Sequence, residues 1–351
     1  MIGSYHPEIP VYHPCTALLL DDDEDFLASL KAVLGRDAAV LGYSSPGCAL
    51  KCLSRAQEIA DDTFDVFERY SSHAEGAGAE VGDHLLLLKS SRLRQLAMSG
   101  SRFEMISVVI VDQVMPATSG LEFCSNIADM GVKTILLTGQ MSDEATIAAF
   151  NDGLIDRFVS KNDPDALGKI KAMMGELHRE YMADKLEPLT KALRVSGNHS
   201  LDRFDTVELM RSIHNLFPYS EYYYLPNSRG FLLRDIEGQE QFCLIGNMRE
   251  QAEMGDIVED MVGTCAESEG LRQGRLVAWD FFDDFGDDEP WHNRLGDLVF
   301  PCRQVGDLVW SLIPAERLPF RTNLVDPSWS SYRARMQAKP INWVGGGSGV
   351  S

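Results

Sequence analysis

The sequence TALLLDDDEDF, which runs from Thr16 to Phe26, joins a short apolar segment directly to five consecutive acidic residues. The segment Thr16–Leu20 has the length and composition of a buried strand. Carboxylates at the end of such a strand repel one another and lose part of their hydration, so an opposing charge has to offset both costs. A bound cation supplies that charge, and the stretch therefore predicts a metal-binding strand end.

Four more short apolar segments have the character of buried strands, and helical patterns lie between them. The further strands are predicted at Ala38–Tyr43, Ile106–Val111, Lys133–Leu137 and Asp156–Ser160, and the helices at Asp25–Leu34, Gly120–Met130 and Asp143–Asn151. Strands that alternate with helices form βαβ units and a parallel sheet. The sequence therefore predicts an α/β domain whose sheet is doubly wound, flavodoxin-like, parallel and five-stranded.

Changes in composition divide the chain into five parts. We predict an irregular lead at residues 1–14 and the α/β domain at 15–182, with a long insertion at about 54–105 that precedes the third strand. A helical linker at 183–199 then leads to a second domain at 200–330, and a flexible tail at 331–351 follows it. Strand-like segments such as EYYYLP, beside helical ones, predict the α+β class for the second domain.

The charge of the chain bears on its partners. Its 351 residues include 32 basic and 53 acidic side chains, which gives a formal charge of −21. Nucleic acids and anionic membranes are bound by clustered Lys and Arg, so DNA and membranes are disfavoured as partners. No apolar run has the length of a membrane span, and the N-terminus does not resemble a signal peptide. Seven cysteines without a CxxC pair predict reduced thiols, and together these features predict a soluble, cytoplasmic protein.

Side chains capable of chemistry follow the predicted strands. Asp21 and Asp22 follow the first strand, Asp112 ends the third, Thr138 ends the fourth, and Lys161 follows the fifth. Ligands of doubly wound sheets bind outside the carboxyl ends of the strands, so we expect these side chains to converge there. Three carboxylates form a hard oxygen site suited to Mg²⁺, and one of them is available as a nucleophile toward phosphorus. The lysine and the threonine would then bind phosphoryl oxygens.

This ordered set resembles the chemotaxis-type receiver domain of bacterial two-component response regulators. The resemblance covers roughly Thr16–Lys161 and the helix that follows. It consists of the acidic pair after the first strand, D-x-x-x-P at Asp112 with Gly120 beyond it, T-G after the fourth strand, and a lysine three residues after an aromatic. Each piece by itself is a weak signal, but their order, with every piece at a strand end, is specific.

The resemblance implies a phosphorylation site that needs magnesium. Asp112 resembles the phosphoacceptor of the family. Asp22 and Asp112 resemble direct Mg²⁺ ligands, together with the backbone carbonyl of Val114, and Asp21 assists them. The implied phosphoryl donor is a histidine kinase or a phosphotransfer protein.

The resemblance also implies a conformational switch. Thr138 and Lys161 resemble the pair that contacts the phosphoryl group, and Phe158 stands where the family keeps a switch aromatic that turns inward when the threonine moves. The face built by the last two strand–helix units is then the expected surface of a phosphorylation-linked homodimer. One departure is Asn162, because the family commonly has proline after the lysine. The long insertion is the other.

The function predicted from these features is that of a response regulator. Its phosphorylated receiver would control an output domain that does not bind DNA and acts by protein interaction or by ligand binding. A receiver-controlled output enzyme or a nucleotide-binding output domain is the alternative, and a transcriptional regulator is disfavoured because no basic recognition helix is present. Turnover of phosphate esters is also disfavoured, because Val114 stands where an aspartyl-phosphate phosphatase has its second catalytic acid. Self-phosphorylation from a phosphodonor is the only catalysis expected.

Overall fold

The computed structural model of the chain describes residues 9–70, 85–116, 118–139, 144–195, 204–279, 291–318 and 328–343. Residues 71–84 of the predicted insertion, 196–199 of the predicted linker and 344–351 of the predicted tail lie outside this part. Among the helices that the structure describes, none is long and apolar enough to cross a membrane.

The elements are numbered in chain order. The first half contains β1 (Val11–Tyr12), β2 (Thr16–Leu20), α1 (Glu24–Leu34), β3 (Ala39–Tyr43), α2 (Pro46–Phe64), β4 (Phe67–Tyr70), β5 (Leu85–Leu88), α3 (Ser90–Met98), β6 (Ile106–Asp112), α4 (Gly120–Ile127), β7 (Lys133–Thr138), α5 (Glu144–Asn151), β8 (Arg157–Ser160) and α6 (Ala166–Val195). The second half contains α7 (Phe204–Leu216), β9 (Tyr219–Leu225), β10 (Gly230–Asp235), β11 (Glu240–Asn247), α8 (Met248–Val262), α9 (Ala266–Arg272), β12 (Leu276–Ala278), α10 (Leu295–Leu298), β13 (Val299–Pro301), β14 (Arg303–Val305), β15 (Leu308–Pro314) and α11 (Trp329–Gln337).

Five strands form the parallel sheet that the sequence predicts, in the order β3-β2-β6-β7-β8. This is the flavodoxin-like order, so the predicted fold class is confirmed. The central strand β6 has the sequence ISVVIVD, and all seven of its residues are buried. Such a continuous apolar run suits a strand that has a neighbour on each edge and helices on both faces.

Alternating residues of each strand pack on opposite faces of the sheet. In β2, Leu18 and Leu20 belong to the core beneath α2, α4 and α5, whereas Leu19 belongs to the core beneath α1 and α6. A strand with period-two side chains delivers one set to each face, so an all-apolar strand needs helices on both. This arrangement directs the carboxyl ends of all five strands to one edge, where the predicted site residues lie.

The second domain is built on a six-stranded antiparallel sheet in the order β1-β9-β10-β11-β15-β14. Its edge strand β1 comes from the segment predicted to be an irregular lead, and that prediction is wrong for Val11 and Tyr12. These residues pair with Tyr223 and Tyr222 of β9. A two-residue strand is too short to show a period, and its partner is about two hundred residues away in the sequence, so no local pattern reveals it.

The insertion before the third receiver strand is an ordered bridge in its described part. It begins after Phe64 rather than near residue 54, because α2 continues for 19 residues. After the antiparallel β4–β5 pair, helix α3 buries Leu93 and Leu96 in the core of the second domain. Arg102 then donates two hydrogen bonds to Glu221 of β9, at 2.7 and 3.2 Å, and both side chains are buried. A buried carboxylate needs such a partner, so this pair fixes the bridge to the second sheet.

Helix α6 is longer than the sequence indicates. The predicted boundary at residue 182 and residues 183–195 of the predicted helical linker fall within its 30 residues, which pass through Pro188. Proline disrupts helical hydrogen bonding, and this favours an earlier end when only the sequence is read. The last turns remain helical while Leu186, Leu189 and Leu193 are buried in the core of the second domain.

The C-terminal segment returns to the parallel sheet, which overturns the prediction of a flexible tail for residues 331–343. Helix α11 buries Trp329, Tyr332 and Met336. The Tyr332 hydroxyl lies 2.9 Å from the Thr16 hydroxyl oxygen, and the Asn342 backbone N–H donates to the Gly42 carbonyl at 2.8 Å. Three large apolar residues in an otherwise polar helix only weakly predict that the helix packs on a domain. They are buried because β3 is the edge strand of the parallel sheet and the helix covers it.

Tyr332→Ala tests the docking of this C-terminal helix. Removing a fully buried aromatic ring leaves a cavity, so we expect the free energy of unfolding to fall by about 3 kcal/mol. Urea denaturation followed by circular dichroism measures it. Gln337→Ala, at an exposed position of the same helix, is the control and should change stability by less than about 0.5 kcal/mol. Equal stability of both variants would mean that the segment is a detachable tail.

Two buried histidines lie where the two sheets meet. His13 is fully buried between β1 and β2, and its backbone carbonyl accepts a hydrogen bond from Nε2 of His178 in α6 at 3.0 Å. Burial lowers the pKa of His13 to about 4 and that of His178 to about 3. For His13, the charges of Arg102 and Arg234 also lower the pKa, whereas the charge of Glu221 raises it. For His178, the charges of His13 and Arg179 lower the pKa further. Both rings are therefore neutral at pH 7.

These histidines predict loss of stability in mild acid. Their pKa values are lower in the folded chain than the usual 6.5, so the unfolded chain binds more protons below that pH. Their contribution is complete above pH 6.5 and is lost as the pH falls toward 4. Each histidine should remove about 1.4 kcal/mol per pH unit in that range.

Urea unfolding at half-unit pH steps from 7 to 4.5 measures this slope. His178→Gln keeps a donor for the His13 carbonyl but does not titrate, so it should roughly halve the slope. A wild-type stability that stays constant between pH 6.5 and 5 would contradict the prediction.

Candidate functional site

Three carboxylates meet at the carboxyl edge of the parallel sheet. Asp21 and Asp22 directly follow β2, and Asp112 ends the adjacent strand β6. One oxygen from each of the three lies within 4.8 Å of the others. Asp21 and Asp112 are buried and Asp22 is exposed, so the cluster has two sheltered members and one that faces solvent. The sequence predicts this convergence, and the strand order produces it.

Lys161 bridges the two buried carboxylates. Its Nζ lies 2.7 Å from Asp21 Oδ2 and 2.8 Å from Asp112 Oδ1. The same ammonium group lies 4.6 Å from the centre of the Phe26 ring in α1, a cation–π contact. The backbone N–H of Lys161 donates to the carbonyl of Thr138 at 2.8 Å. The lysine is therefore held by three strand ends and one helix.

The pKa values of the site reflect a balance between burial and charge. Burial raises the pKa of Asp112, and the hydrogen bond and charge of Lys161 only partly offset it. Burial by itself lowers the pKa of Lys161, but its hydrogen bonds to Asp112 and Asp21 outweigh that effect and raise it. The lysine is therefore a firmly held cation at neutral pH, and the carboxylates are its counterions.

The other three residues of the acidic stretch Asp21–Asp25 stabilise the start of helix α1. The Asp23 side chain accepts hydrogen bonds from the backbone N–H groups of Asp25 and Phe26, both at 3.0 Å, and so forms the N-cap. Glu24 and Asp25 occupy the first turn, where negative charge complements the helix dipole. The five acidic residues thus divide into two at the site and three at the helix start.

The predicted switch residues lie on the neighbouring strands β7 and β8. Thr138 is buried at the end of β7, next to the loop that carries the lysine. Phe158 in β8 is half-buried, and its ring meets that of Phe150 edge-to-face with centroids 5.7 Å apart. Phe150 in α5 is itself 41% exposed. Val114, whose backbone carbonyl is the predicted main-chain ligand, points its side chain into solvent with 74% of it exposed.

Gly120 allows α4 to begin directly against the phosphoacceptor candidate. A Cβ at this position would lie 2.3 Å from the Asp112 carbonyl oxygen and 2.8 Å from Cδ1 of Leu136. Both distances are shorter than real Cβ contacts. The Gly120 N–H donates to the Gln113 carbonyl at 3.0 Å and closes the loop that carries Val114. Glycine is therefore required here for close backbone approach.

Asn162 replaces the proline that the family commonly has after the lysine. Its Nδ2 donates to the Gly139 carbonyl at 2.9 Å, and its backbone N–H donates to the Ser160 hydroxyl at 3.2 Å. These bonds tie the loop after β8 to the loop after β7. The turn that holds Lys161 is thus fixed by side-chain hydrogen bonds rather than by a proline ring.

Sequence reasoning gave Phe26 no part in this site, and it noted Gly139 only as half of the T-G motif and Asn162 only as a departure from the family, without a role for either. Phe26 fits the apolar face of α1 and is read as a core residue. The other two are small or polar residues in loops, where many roles are possible. Their roles depend on which loops become neighbours, and a pattern along the chain does not encode that.

A solved response regulator is similar to most of the chain. No family profile and no curated protein matches the chain. Among solved structures, the chain is similar to the response regulator LqsR of Legionella pneumophila, with 25% sequence identity, 90% of each chain covered and a TM-score of 0.65. A CheY-like receiver domain protein of Methanospirillum hungatei matches with 19% identity over 48% of this chain and 98% of its own, at a TM-score of 0.29.

The N-terminal half of the chain is a receiver domain of the response-regulator type, as its parallel sheet and the order of its strand-end residues predict. The likeness to LqsR continues beyond the receiver, because it extends over nine-tenths of both chains.

Gly120→Ala tests the close approach at the site. The added methyl group has no space, so the loop after β6 has to shift, and we expect the free energy of unfolding to fall by about 1–3 kcal/mol. Gly139→Ala is the matched control, because a Cβ at that position meets nothing within 4 Å. Urea denaturation compares the two. Equal stability would contradict the required contact between Asp112 and the start of α4.

Proposed function

We propose that this protein is a phosphorylation-controlled response regulator in which Asp112 accepts a phosphoryl group. The observation that carries the proposal is the placement of Lys161 Nζ within 2.8 Å of two buried carboxylates, beside a third carboxylate that is exposed. A nucleophile, a cation for the phosphoryl oxygens and a hard oxygen site lie together at one sheet edge. The donor is proposed to be a histidine kinase or a phosphotransfer protein.

The donor set fits Mg²⁺. The ion prefers oxygen ligands and keeps several waters, so one or two carboxylates with an open side suffice. Asp22 and Asp112, with the backbone carbonyl of Val114, would hold the ion, and Asp21 would support them. When bound, Mg²⁺ neutralises charge on the phosphoryl group. The exposed position of Asp22 and of the Val114 loop leaves a solvent side to the cluster.

The chain's own residues account for phosphoryl uptake. A carboxylate oxygen of Asp112 attacks phosphorus, and a P–O bond forms while the P–N bond of the donor's phosphohistidine breaks. The imidazole leaves with the electron pair. Lys161 exchanges its contact with Asp112 for a phosphoryl oxygen and keeps its contact with Asp21. The Thr138 hydroxyl donates to a second oxygen.

The same step supplies a switch. The Lys161 backbone N–H donates to the Thr138 carbonyl, and Phe158, three residues before the lysine, contacts the exposed ring of Phe150. Movement of the threonine toward the phosphoryl group opens space for Phe158 to turn inward. The α5 surface changes shape as a result, and we propose this face as the site of a phosphorylation-linked homodimer.

The second domain is proposed to act through protein contact. In α8 the side chains of Ile257, Met261 and Val262 are 37%, 60% and 43% exposed, and they lie at the C-terminal end of the helix. Neighbouring exposed apolar side chains on a protein with a charge of −21 are typical of a contact surface for another protein. This observation favours an interaction module over an output enzyme.

Intact-mass spectrometry tests the receiver function. We expect one phosphoryl adduct after incubation with Mg²⁺ and acetyl phosphate, and no adduct with Asp112→Asn or with excess chelator. Asp22→Asn should slow uptake about tenfold or more, because it removes a proposed metal ligand. Asp25→Asn lies in the same acidic stretch but at the start of α1, and it should react like the wild type.

Light scattering on the same samples measures the proposed dimer. An adduct of Asp112→Asn, or uptake that is indifferent to Mg²⁺, would overturn the assigned site. An adduct that leaves the molar mass in solution unchanged would support Asp112 as the phosphoacceptor. It would exclude the phosphorylation-linked dimer.

A further inference from the structure

A cavity of about 400 Å³ lies at the opposite end of the receiver sheet from the carboxylates. It is bordered by the starts of β2 and β6, by the end of α1, by the middle of α6 and by α11. Its walls include Tyr12, Cys15, Leu34, Met174, His178 and Trp329. Because the phosphorylation site lies at the carboxyl ends of the strands, this cavity is a separate site.

The walls of the cavity are mainly apolar, and its two charged residues neutralise each other. Lys171 Nζ lies 2.7 Å from Asp37 Oδ2, and the Asp37 side chain is 65% exposed, so the ion pair is at the solvent side. A charged ligand would have to break this pair or leave its own charge without a partner in an apolar space. The cavity therefore favours an uncharged molecule.

Two buried polar atoms belong to residues of the cavity wall. The Nε2 of His178 bonds to the His13 carbonyl, which only accepts, so Nε2 carries the hydrogen and Nδ1 of the neutral ring is an acceptor. Nδ1 has no hydrogen-bond partner among the described residues, and neither does the indole N–H of Trp329, which is a donor. Buried polar atoms are normally satisfied.

We propose that this cavity binds a small, uncharged, mainly apolar molecule. An apolar chain of several carbons fills the space between the walls, and the two unpaired polar atoms of His178 and Trp329 expose almost no surface to it. The volume is within the range of small-molecule sites. The ligand would contact Tyr12 of the second sheet, α6 and α11 together, so its binding would join both halves of the protein.

Gly175 provides a way to close the cavity without disturbing its frame. It lies on the α6 wall, and a Cβ there would meet only Arg179 Nη1, at the ordinary distance of 3.9 Å. A side chain at this position therefore fits, and a helix interior tolerates Ala, Leu or Phe better than Gly. Gly175→Phe fills the space, whereas Gly175→Ala leaves most of it open.

Isothermal titration calorimetry on the full chain tests the proposal with octanamide, 1-octanol and 2-octanone as neutral probes and octanoate as the charged control. We expect saturable one-to-one binding of at least one of the three neutral probes, with octanoate at least tenfold weaker. Gly175→Phe should abolish binding, and Gly175→Ala should bind within about twofold of the wild type. Gly175→Leu is the smaller filling variant if thermal unfolding shows that the Phe variant is not folded.

The proposal is overturned if none of the three neutral probes gives saturable binding, in which case the cavity holds water only. It is also overturned if the filled variants bind as the wild type does, because the ligand would then occupy another site. Phosphoryl uptake at Asp112 should be unchanged in every Gly175 variant. A failure of the cavity proposal can therefore be distinguished from a failure of the proposed phosphorylation at Asp112.

Discussion

The hydrogen bonds that Lys161 donates to Asp21 and Asp112 hold the carboxyl edge of the receiver sheet together. Two carboxylates within 4.8 Å of each other repel by at least about 3 kcal/mol at an effective dielectric constant of 20. One ammonium group placed against both offsets that repulsion. Three strand ends are thereby fixed relative to one another. The carboxylates that follow β2 can then lie at the edge of a buried sheet. The site has its geometry because this charge balance has to be met.

Helix α6 connects that site to the rest of the molecule. It begins shortly after Lys161, its middle carries His178 along the cavity, and its last turns bury Leu186 and Leu189 in the second domain. A helix of 30 residues is a stiff element of about 45 Å. The turn after β8, the cavity and the second domain are therefore linked through one continuous element.

The two halves of the chain also exchange their terminal segments. Strand β1 belongs to the second sheet although it precedes the receiver, and α11 packs against the receiver although it follows the second domain. The buried pair of Arg102 and Glu221 joins the insertion to β9. Breaking such a pair leaves a charge without a partner in the interior, which is strongly unfavourable. The boundaries of the two domains in sequence are therefore not the boundaries of their cores.

The sequence by itself determined the receiver sheet and the convergence of Asp21, Asp22, Asp112, Thr138 and Lys161. Continuous apolar runs mark buried strands, and parallel strands bring their carboxyl ends to one edge. The tertiary structure decided the features that depend on partners distant in sequence. These are the pairing of β1, the continuation of α6 through Pro188, the docking of α11, the support of Lys161 by Phe26 and Asn162, and the cavity beside Gly175. Local periodicity indicates which face of a helix or strand is buried. Which other element packs against that face depends on the tertiary fold.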